Sequence, residues 1–283
     1  MDRIIEGLYK EHNIKVTLVE GTNTINEMLK IHQPNALSAE VIGRTALATS
    51  LIGSSNWDKK TISYVNGGGP IGLISAEFID GKLKSYCANP NFDDSKIKKD
   101  RNVISQVVGT TGTLKVVKDI PGEKEPKIGA IYLVSGEINL DFTYYLIQNE
   151  NTKGLLLTAI KIDNNKVLKA IGFLANLLPE ASEEDLDFLE QKLSDVNLLN
   201  EKMLSSKNLD ELLNFYKGIE LTKDSKISFK CDCSEKKSLN TIKLLDEKDK
   251  KEILDLKQEV EIKCDFCLKK YLINYDKIKQ VLN

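Results

Sequence analysis

The stretch that decides the fold reads GLISAEFI at residues 72–79, then Asp80-Gly81, then KLKSYCA at residues 82–88. The two runs have the length and apolar content of short strands. Asp-Gly readily supplies the two positive φ angles of a tight turn, so the stretch predicts a β-hairpin. The strands of a hairpin pair antiparallel, which argues against a parallel, doubly wound sheet.

Other elements of the same kind surround this hairpin. A second hairpin is predicted for residues 154–162 and 166–174, joined by Asp163-Asn164-Asn165. Further strands are predicted at 15–20 and 61–66, and helices at 35–51 and 141–149. Residues 1–178 are therefore predicted to form an α+β domain, in which a hairpin-rich mixed or antiparallel sheet carries packed helices.

The helix predicted at 35–51 carries a stripe of small residues at spacings of three and four: Ala36, Ala39, Gly43, Ala46 and Ser50. Small side chains let another backbone approach closely. Tight packing in the core is the favoured interpretation, and a binding groove is the alternative. Cys87, in the first hairpin, is interpreted as a small apolar core residue rather than a reactive thiol.

Residues 179–225 differ in character and are predicted to form a helical linker. Residues 180–202 hold eight acidic and two basic side chains. Ser182 and Asp185 predict a capping box, and Leu186, Leu189, Leu193 and Val196 follow as one amphipathic stripe. A second short helix is predicted from Asn208 to Tyr216. Short, highly charged helices depend on docking for stability, so the segment is either a detachable element or an ordinary interdomain linker.

The last segment, residues 226–283, is predicted to be a small cysteine-bearing domain. Strands at 226–230 and 259–263 each lead into a cysteine pair, and residues 235–256 between them are predicted to be helical. The pairs are Cys231-Asp-Cys233 and Cys264-Asp-Phe-Cys267. Four thiols in two tight pairs predict one tetrahedral zinc ion in the reduced protein.

Three functions are compatible with this cluster: a structural zinc ribbon, a thiol–disulfide enzyme, and a redox sensor that loses zinc. The cysteine pattern alone favours the structural ribbon. Because all four ligands are thiols, a hydrolytic zinc centre with an open position is not expected. Lys230, Lys263, Lys269 and Lys270 flank the ligands and are expected to keep the thiolate pKa values low.

Composition excludes several classes of function. The formal net charge of −2 provides no general attraction to nucleic acid or to an anionic membrane. No apolar stretch approaches the ~20 residues that cross a bilayer, and the N-terminus does not resemble a signal peptide. The protein is therefore expected in the cytoplasm, where thiols stay reduced. No catalytic triad or carboxylate pair is apparent, so an enzyme is not expected.

Motifs spread along nearly the whole chain add a family resemblance. They are Gly43-Arg44, Asn66-Gly67-Gly68-Gly69-Pro70, Asn89-Pro90, Val108-Gly109-Thr110-Thr111-Gly112, Ser135-Gly136-Glu137-Ile138, Gly172-Phe173-Leu174, Leu177-Leu178-Pro179, and the four cysteines with Phe229, Ser234 and Phe266. In this order the chain resembles the redox-regulated 33-kDa heat-shock chaperonin family.

The resemblance implies a function. Members of the family are inactive when reduced and bound to zinc. Oxidation forms disulfides between near neighbours, here Cys231–Cys233 and Cys264–Cys267, with loss of zinc and unfolding of the zinc domain and linker. The active form is a homodimer that holds unfolded client proteins without ATP. The resemblance thus implies a redox-activated chaperone. The charge balance and the short apolar stretches lead us to expect no nucleic-acid or membrane partner.

An alternative function is a structural zinc-ribbon protein that binds nucleic acid or a protein partner. Residues 222–283 contain fifteen Lys and twelve acidic residues, with few clustered aromatic side chains. So small an excess of positive charge is not typical of a nucleic-acid-binding domain. An RNA mobility-shift assay at several salt concentrations would distinguish the two functions, because phosphate contacts predict that RNA affinity falls steeply with salt.

Overall fold

A computed structural model of the chain describes residues 1–56 and 58–282. It contains two compact units, Met1–Phe229 and Lys230–Asn283. The strands are β1 Arg3–Tyr9, β2 Ile14–Glu20, β3 Lys60–Asn66, β4 Ile74–Ile79, β5 Lys82–Cys87, β6 Thr113–Asp119, β7 Lys127–Tyr132, β8 Gly154–Asp163, β9 Lys166–Leu177, β10 Ile219–Lys226, β11 Ser228–Phe229, β12 Val260–Lys263 and β13 Lys270–Ile273.

Helices connect these strands. They are α1 Thr22–His32, α2 Ala36–Ser55, α3 Val103–Val108, α4 Ile138–Asn149, α5 Glu183–Leu193, α6 Val196–Ser205, α7 Leu209–Phe215, α8 Glu235–Lys243, α9 Glu247–Leu256 and α10 Tyr275–Leu282, with a 3-10 turn at Asp94–Lys96. Within the described part of the chain, no helix is long and apolar enough to cross a membrane. The predicted α+β fold is confirmed.

The first unit contains two sheets. A five-stranded antiparallel sheet has the order β10-β1-β2-β9-β8, and a six-stranded sheet has the order β11-β5-β4-β3-β6-β7. The predicted β4–β5 hairpin is confirmed, with Asp80 and Gly81 both at positive φ. The second hairpin, β8–β9, is also confirmed. Its loop is the two residues Asn164 and Asn165, one fewer than predicted, because Asp163 pairs with Lys166.

Helix α2 lies in the main hydrophobic core, and sixteen of its twenty residues are buried. Ala39, Ala46 and Ser50 of the small-residue stripe are among them, whereas Ala36 is exposed. A methyl group on Gly43 would lie only 2.5 Å from Ile160 Cδ1. The stripe therefore serves close core packing, as favoured from the sequence, and Cys87 is buried in the same core.

The five-stranded sheet is buried on both faces. Its central strands carry apolar side chains on each face, and each face packs against a different apolar cluster. Along β9, Ala170 and Leu174 belong to the main core, whereas Ile171, Phe173 and Ala175 face a second apolar cluster. Helices α5, α6 and α7 supply the other side of this second cluster. We call the sheet surface beneath these helices the covered face. Its residues are Ile5, Tyr9, Ile14, Val16, Leu18, Leu157, Ala159, Ile171, Phe173 and Ala175.

The linker segment differs from the prediction in two respects. It has three helices rather than two, since Asp195 accepts a hydrogen bond from the Leu198 amide at 2.9 Å and starts a separate helix, α6. Val196 therefore does not extend the stripe of α5, and 42% of its surface is exposed. The capping box of Ser182 and Asp185 is confirmed, and the helix predicted from Asn208 is α7, with Asn208 as its N-cap.

The approach to the first cysteine pair also differs from the prediction. In place of one strand at 226–230, β10 ends at Lys226 after pairing with β1, and the short strand β11 pairs parallel with β5. In the second unit, the predicted helix at 235–256 is two helices, α8 and α9, separated near Leu244. The sequence prediction did not include the strands β1, β6, β7, β10 and β13 or the helices α1, α3 and α10.

Candidate metal centre and covered face

Two chain segments deliver the four cysteines of the second unit. Cys231 and Cys233 lie in the extended segment after β11 and before α8. The Ser234 hydroxyl accepts a hydrogen bond from the Lys237 amide at 3.3 Å and caps α8. Lys237 also pairs with Asp232, the residue between the two cysteines. These contacts at the start of α8 thereby fix the position of the first cysteine pair.

The second pair occupies the turn of the β12–β13 hairpin. The Cys264 amide donates to the Lys269 carbonyl at 2.9 Å, and the Cys264 carbonyl accepts from the Leu268 amide at 2.8 Å. Leu268 has a φ of 59°, a left-handed backbone conformation that residues other than Gly, Asn and Asp seldom adopt. This turn directs Cys264 and Cys267 to the same side of the hairpin end.

The four sulfur atoms converge. Cys231 Sγ lies 3.7 Å from Cys264 Sγ, Cys233 Sγ lies 3.3 Å from Cys267 Sγ, and all four lie within 4.8 Å of one another. Four thiolates around a tetrahedral zinc ion with bonds of about 2.3 Å have sulfur–sulfur separations of about 3.8 Å. The four cysteines are therefore placed to hold a metal ion, and their donor set suits a soft, tetrahedral one.

The environment of the thiols does not match the expectation from the flanking lysines. Burial raises the pKa of Cys231 and of Cys267. Burial also acts to raise the pKa of Cys233, but hydrogen bonds from Tyr271 and the neighbouring thiols lower it to about 7. The predicted lowering by lysines is therefore wrong. Lys270 pairs with Glu261 at 2.9 Å, and Lys269 lies over the Tyr271 ring at 5.2 Å.

The unit that carries the cysteines has a very small core. Its fully buried apolar side chains, among the described residues, are Ile242, Ile273 and Ile278. Several other apolar residues pack against them only partly buried. Small domains with so little apolar burial commonly need a metal or disulfides for stability.

A single carboxylate anchors the linker to the turn between β1 and β2. Asp185 in the first turn of α5 accepts hydrogen bonds from the amide and hydroxyl of Ser182, at 2.8 and 3.0 Å. It also accepts from the amide and the side chain of Asn13, both at 3.2 Å, and from His12 Nδ1 at 3.0 Å. These donors, the Ser182 amide foremost, hold the pKa of Asp185 well below its usual range against the opposing effect of burial.

Comparison with known proteins decides the family. The family model described as Hsp33 protein matches residues 2–274. The chain belongs to the Hsp33 family. The resemblance in the sequence motifs is thus confirmed, and the chain is a member of a chaperone family.

Relatives of the Hsp33 family match along almost their whole length. A 33 kDa chaperonin from Clostridium botulinum (strain Langeland) is 28% identical over 99% of this chain and 97% of its own length. A 33 kDa chaperonin from Prochlorococcus marinus is 33% identical over 99% of this chain and 98% of its own. The crystal structure of a 33 kDa chaperonin from Thermotoga maritima shares the fold, with a TM-score of 0.82, 24% identity, and coverage of 99% and 97% of the two chains.

Sequence patterns found part of the site in this Hsp33 member. All four predicted cysteines come together, because their spacing in two pairs is a local signal. Two further residues were missed. His12 contacts Asp185 across 173 positions, and no sequence signal marked it. Tyr271 donates to Cys233 across 38 positions, and no sequence signal marked it.

Proposed function

We propose that this Hsp33-family protein is a redox-regulated, ATP-independent chaperone that binds unfolding proteins under oxidative stress. The observation that carries the proposal is the covered face: a continuous apolar sheet surface beneath three short helices. An apolar surface of this kind suits the capture of unfolded chains once it is uncovered. The proposed division is a core domain at 1–178, a metastable linker at 179–225 and a redox-switch domain at 226–283.

In the reduced state, Cys231, Cys233, Cys264 and Cys267 would hold one zinc ion as thiolates. The bound metal would supply folding free energy to a unit with three fully buried isoleucines, on the order of 10 kcal/mol in zinc-finger peptides. Net domain stabilities are only ~5–15 kcal/mol. The thiolates persist because the proposed location, the cytoplasm, is reducing.

Oxidation would remove the ligands. Each pair of thiolates gives two electrons to one peroxide, which takes two protons from solvent, so that one S–S bond and two water molecules form. The proposed pairs are Cys231–Cys233 and Cys264–Cys267, as the family resemblance implies. All four sulfurs lie within 4.8 Å, so the proposed pairs are within reach after small side-chain rotations. Disulfides cannot hold zinc, and the unit would then lose its main source of stability.

Unfolding would pass to the linker through the chain itself. Cys231 lies two residues after the end of β11, and β10 before it leads back to α7. Helices α5, α6 and α7 are short, and helices of this length depend on docking rather than on their own propensity. Loss of docking would uncover the face for unfolded client proteins, and the uncovered form is proposed to dimerise.

The test measures metal and activity together. Reduced protein is treated with peroxide at mild heat, while zinc release and suppression of client aggregation are followed. One zinc released per chain as activity appears supports the proposal, and retained zinc with no activity contradicts it. The double variant Cys264→Ser with Cys267→Ser should lose the response to oxidant. Cys87→Ala is the matched control and should keep it, because Cys87 is buried and burial raises its pKa to about 12.

A further inference from the structure

Tyr271 joins the two cysteine-bearing segments of the second unit. It lies on β13, directly opposite Ile262 of β12. Its hydroxyl donates a hydrogen bond to Cys233 Sγ at 3.1 Å. The donor therefore comes from the hairpin that carries the second cysteine pair, and the acceptor belongs to the first pair.

The tyrosine ring is held in place. It packs against the small core of the unit, and Lys269 Nζ lies 5.2 Å from the ring centroid. A cation over the ring face is attracted to it and makes the phenol a stronger hydrogen-bond donor. Apart from contacts among the four thiols, Cys231 has a hydrogen bond with the backbone of Cys233, and Cys267 has one with the backbone of Lys269. Cys233 instead receives a side-chain hydroxyl.

We propose that Tyr271 is a positioning residue that restrains the reactivity of Cys233 toward oxidants and other electrophiles. The inference rests on the metal–thiolate centre of the proposed function. With the metal bound, all four sulfurs are thiolates, so the hydroxyl does not decide whether Cys233 is ionised. It withdraws electron density from that sulfur, and a less basic thiolate is a weaker nucleophile.

The expected size of the effect follows from thiol chemistry. A hydrogen bond to a charged acceptor changes its basicity by about one to two powers of ten. The rate of attack by a thiolate changes with basicity with a Brønsted slope of about 0.4–0.5. Removal of the hydroxyl should therefore accelerate the reactions of Cys233 by about three- to tenfold.

The experiment compares Tyr271→Phe with the parent protein, both reduced and zinc-loaded. Each is treated with N-ethylmaleimide, and the alkylation rate of every cysteine is measured by mass spectrometry. We expect Cys233 to react about three- to tenfold faster in the variant, with a raised ratio of Cys233 to Cys231. Tyr275→Phe, at the start of α10, is the matched control and should leave that ratio unchanged.

Two results would overturn the inference. One is an unchanged Cys233 rate in Tyr271→Phe. The other is equal acceleration of all four cysteines, which indicates general loosening of the unit. If Tyr271→Phe fails to fold, Lys269→Met gives a second test, because the ring then lacks its cation. It should raise the same ratio by a smaller factor, whereas Lys270→Met, whose lysine pairs with Glu261, should not.

Peroxide-driven zinc release from the same proteins separates this inference from the proposed function. Faster release from Tyr271→Phe, together with its faster alkylation, supports both. If the parent protein keeps its zinc in peroxide while Cys233 alkylation still depends on Tyr271, the proposed redox function fails and the role of Tyr271 stands. An unchanged alkylation ratio beside normal zinc release rejects only the role of Tyr271.

Discussion

His12 and Phe188 stack face to face, with ring centroids 3.7 Å apart and ring planes inclined by 20°. His12 lies in the turn between β1 and β2, and Phe188 lies on α5, one turn after Asp185. Tyr9 and the same phenyl ring make a T-shaped contact, with ring centroids 5.2 Å apart. The first linker helix is thus held to the sheet by an aromatic contact beside the carboxylate that caps it.

The first prediction concerns this anchor. Asp185→Asn weakens the capping box and the contacts to His12 and Asn13, so α5 should undock more often. We expect faster amide hydrogen exchange in α5 and partial suppression of client aggregation without oxidant. Asp187→Asn removes the same charge at an exposed position two residues along and is the control. Equal exchange rates in the two variants would contradict the role of Asp185 as an anchor.

The second prediction concerns pH. The pKa of Asp185 is lower in the folded protein than its ordinary value of 3.8, so its stabilising contribution is present above that value and is lost as the pH falls below it. We therefore expect Asp185 to leave the amide-exchange protection of α5, corrected for intrinsic exchange, constant from pH 5 to 7. The same protection should decline below about pH 4. His12→Gln separates any contribution of the imidazole. An Asp185→Asn variant with the same decline would contradict the assignment.

The third prediction concerns the covered face. Leu199 of α6 is 2% exposed within the second apolar cluster, whereas its neighbour Leu198 is 41% exposed. Leu199→Ala should weaken linker docking by about 2–5 kcal/mol, the usual cost of removing a buried leucine side chain. Binding of a dye specific for apolar surfaces should increase without oxidant, and client aggregation should be partly suppressed. Leu198→Ala should behave like the parent protein.

Sequence reasoning found the features that have local signals. Asp80-Gly81 identified a hairpin, and the cysteine spacing identified the metal ligands, because both signals lie within a few residues. The strand β10 reads IELTKDSK and was missed, since it is an edge strand whose exposed polar residues resemble a loop. Val196 was assigned to the wrong helix, because the cap at Asp195 restarts the helical pattern. Contacts such as Tyr271 with Cys233 depend on the folded chain and leave no local pattern.

The fourth prediction concerns metal removal. Chelation of the metal should unfold the second unit, whose described core has three fully buried apolar side chains, and leave the first unit folded. Hydrogen exchange should then lose protection in α8, α9 and α10 while α2 and β9 keep theirs. Readdition of zinc to reduced protein should restore protection. Protection of α8 that survives chelation would show that the metal is not the main source of stability in that unit.

The fifth prediction concerns the disulfides. Two short sulfur–sulfur distances join the two pairs, Cys231 to Cys264 and Cys233 to Cys267, at 3.7 and 3.3 Å. These distances describe the folded unit, in which one metal ion would draw all four sulfurs together. Once oxidation begins and the unit unfolds, loop closure favours partners that are near in sequence. Peptide mapping of oxidised protein should therefore find Cys231–Cys233 and Cys264–Cys267. Disulfides between Cys231 and Cys264 would instead indicate that oxidation finishes before the unit unfolds.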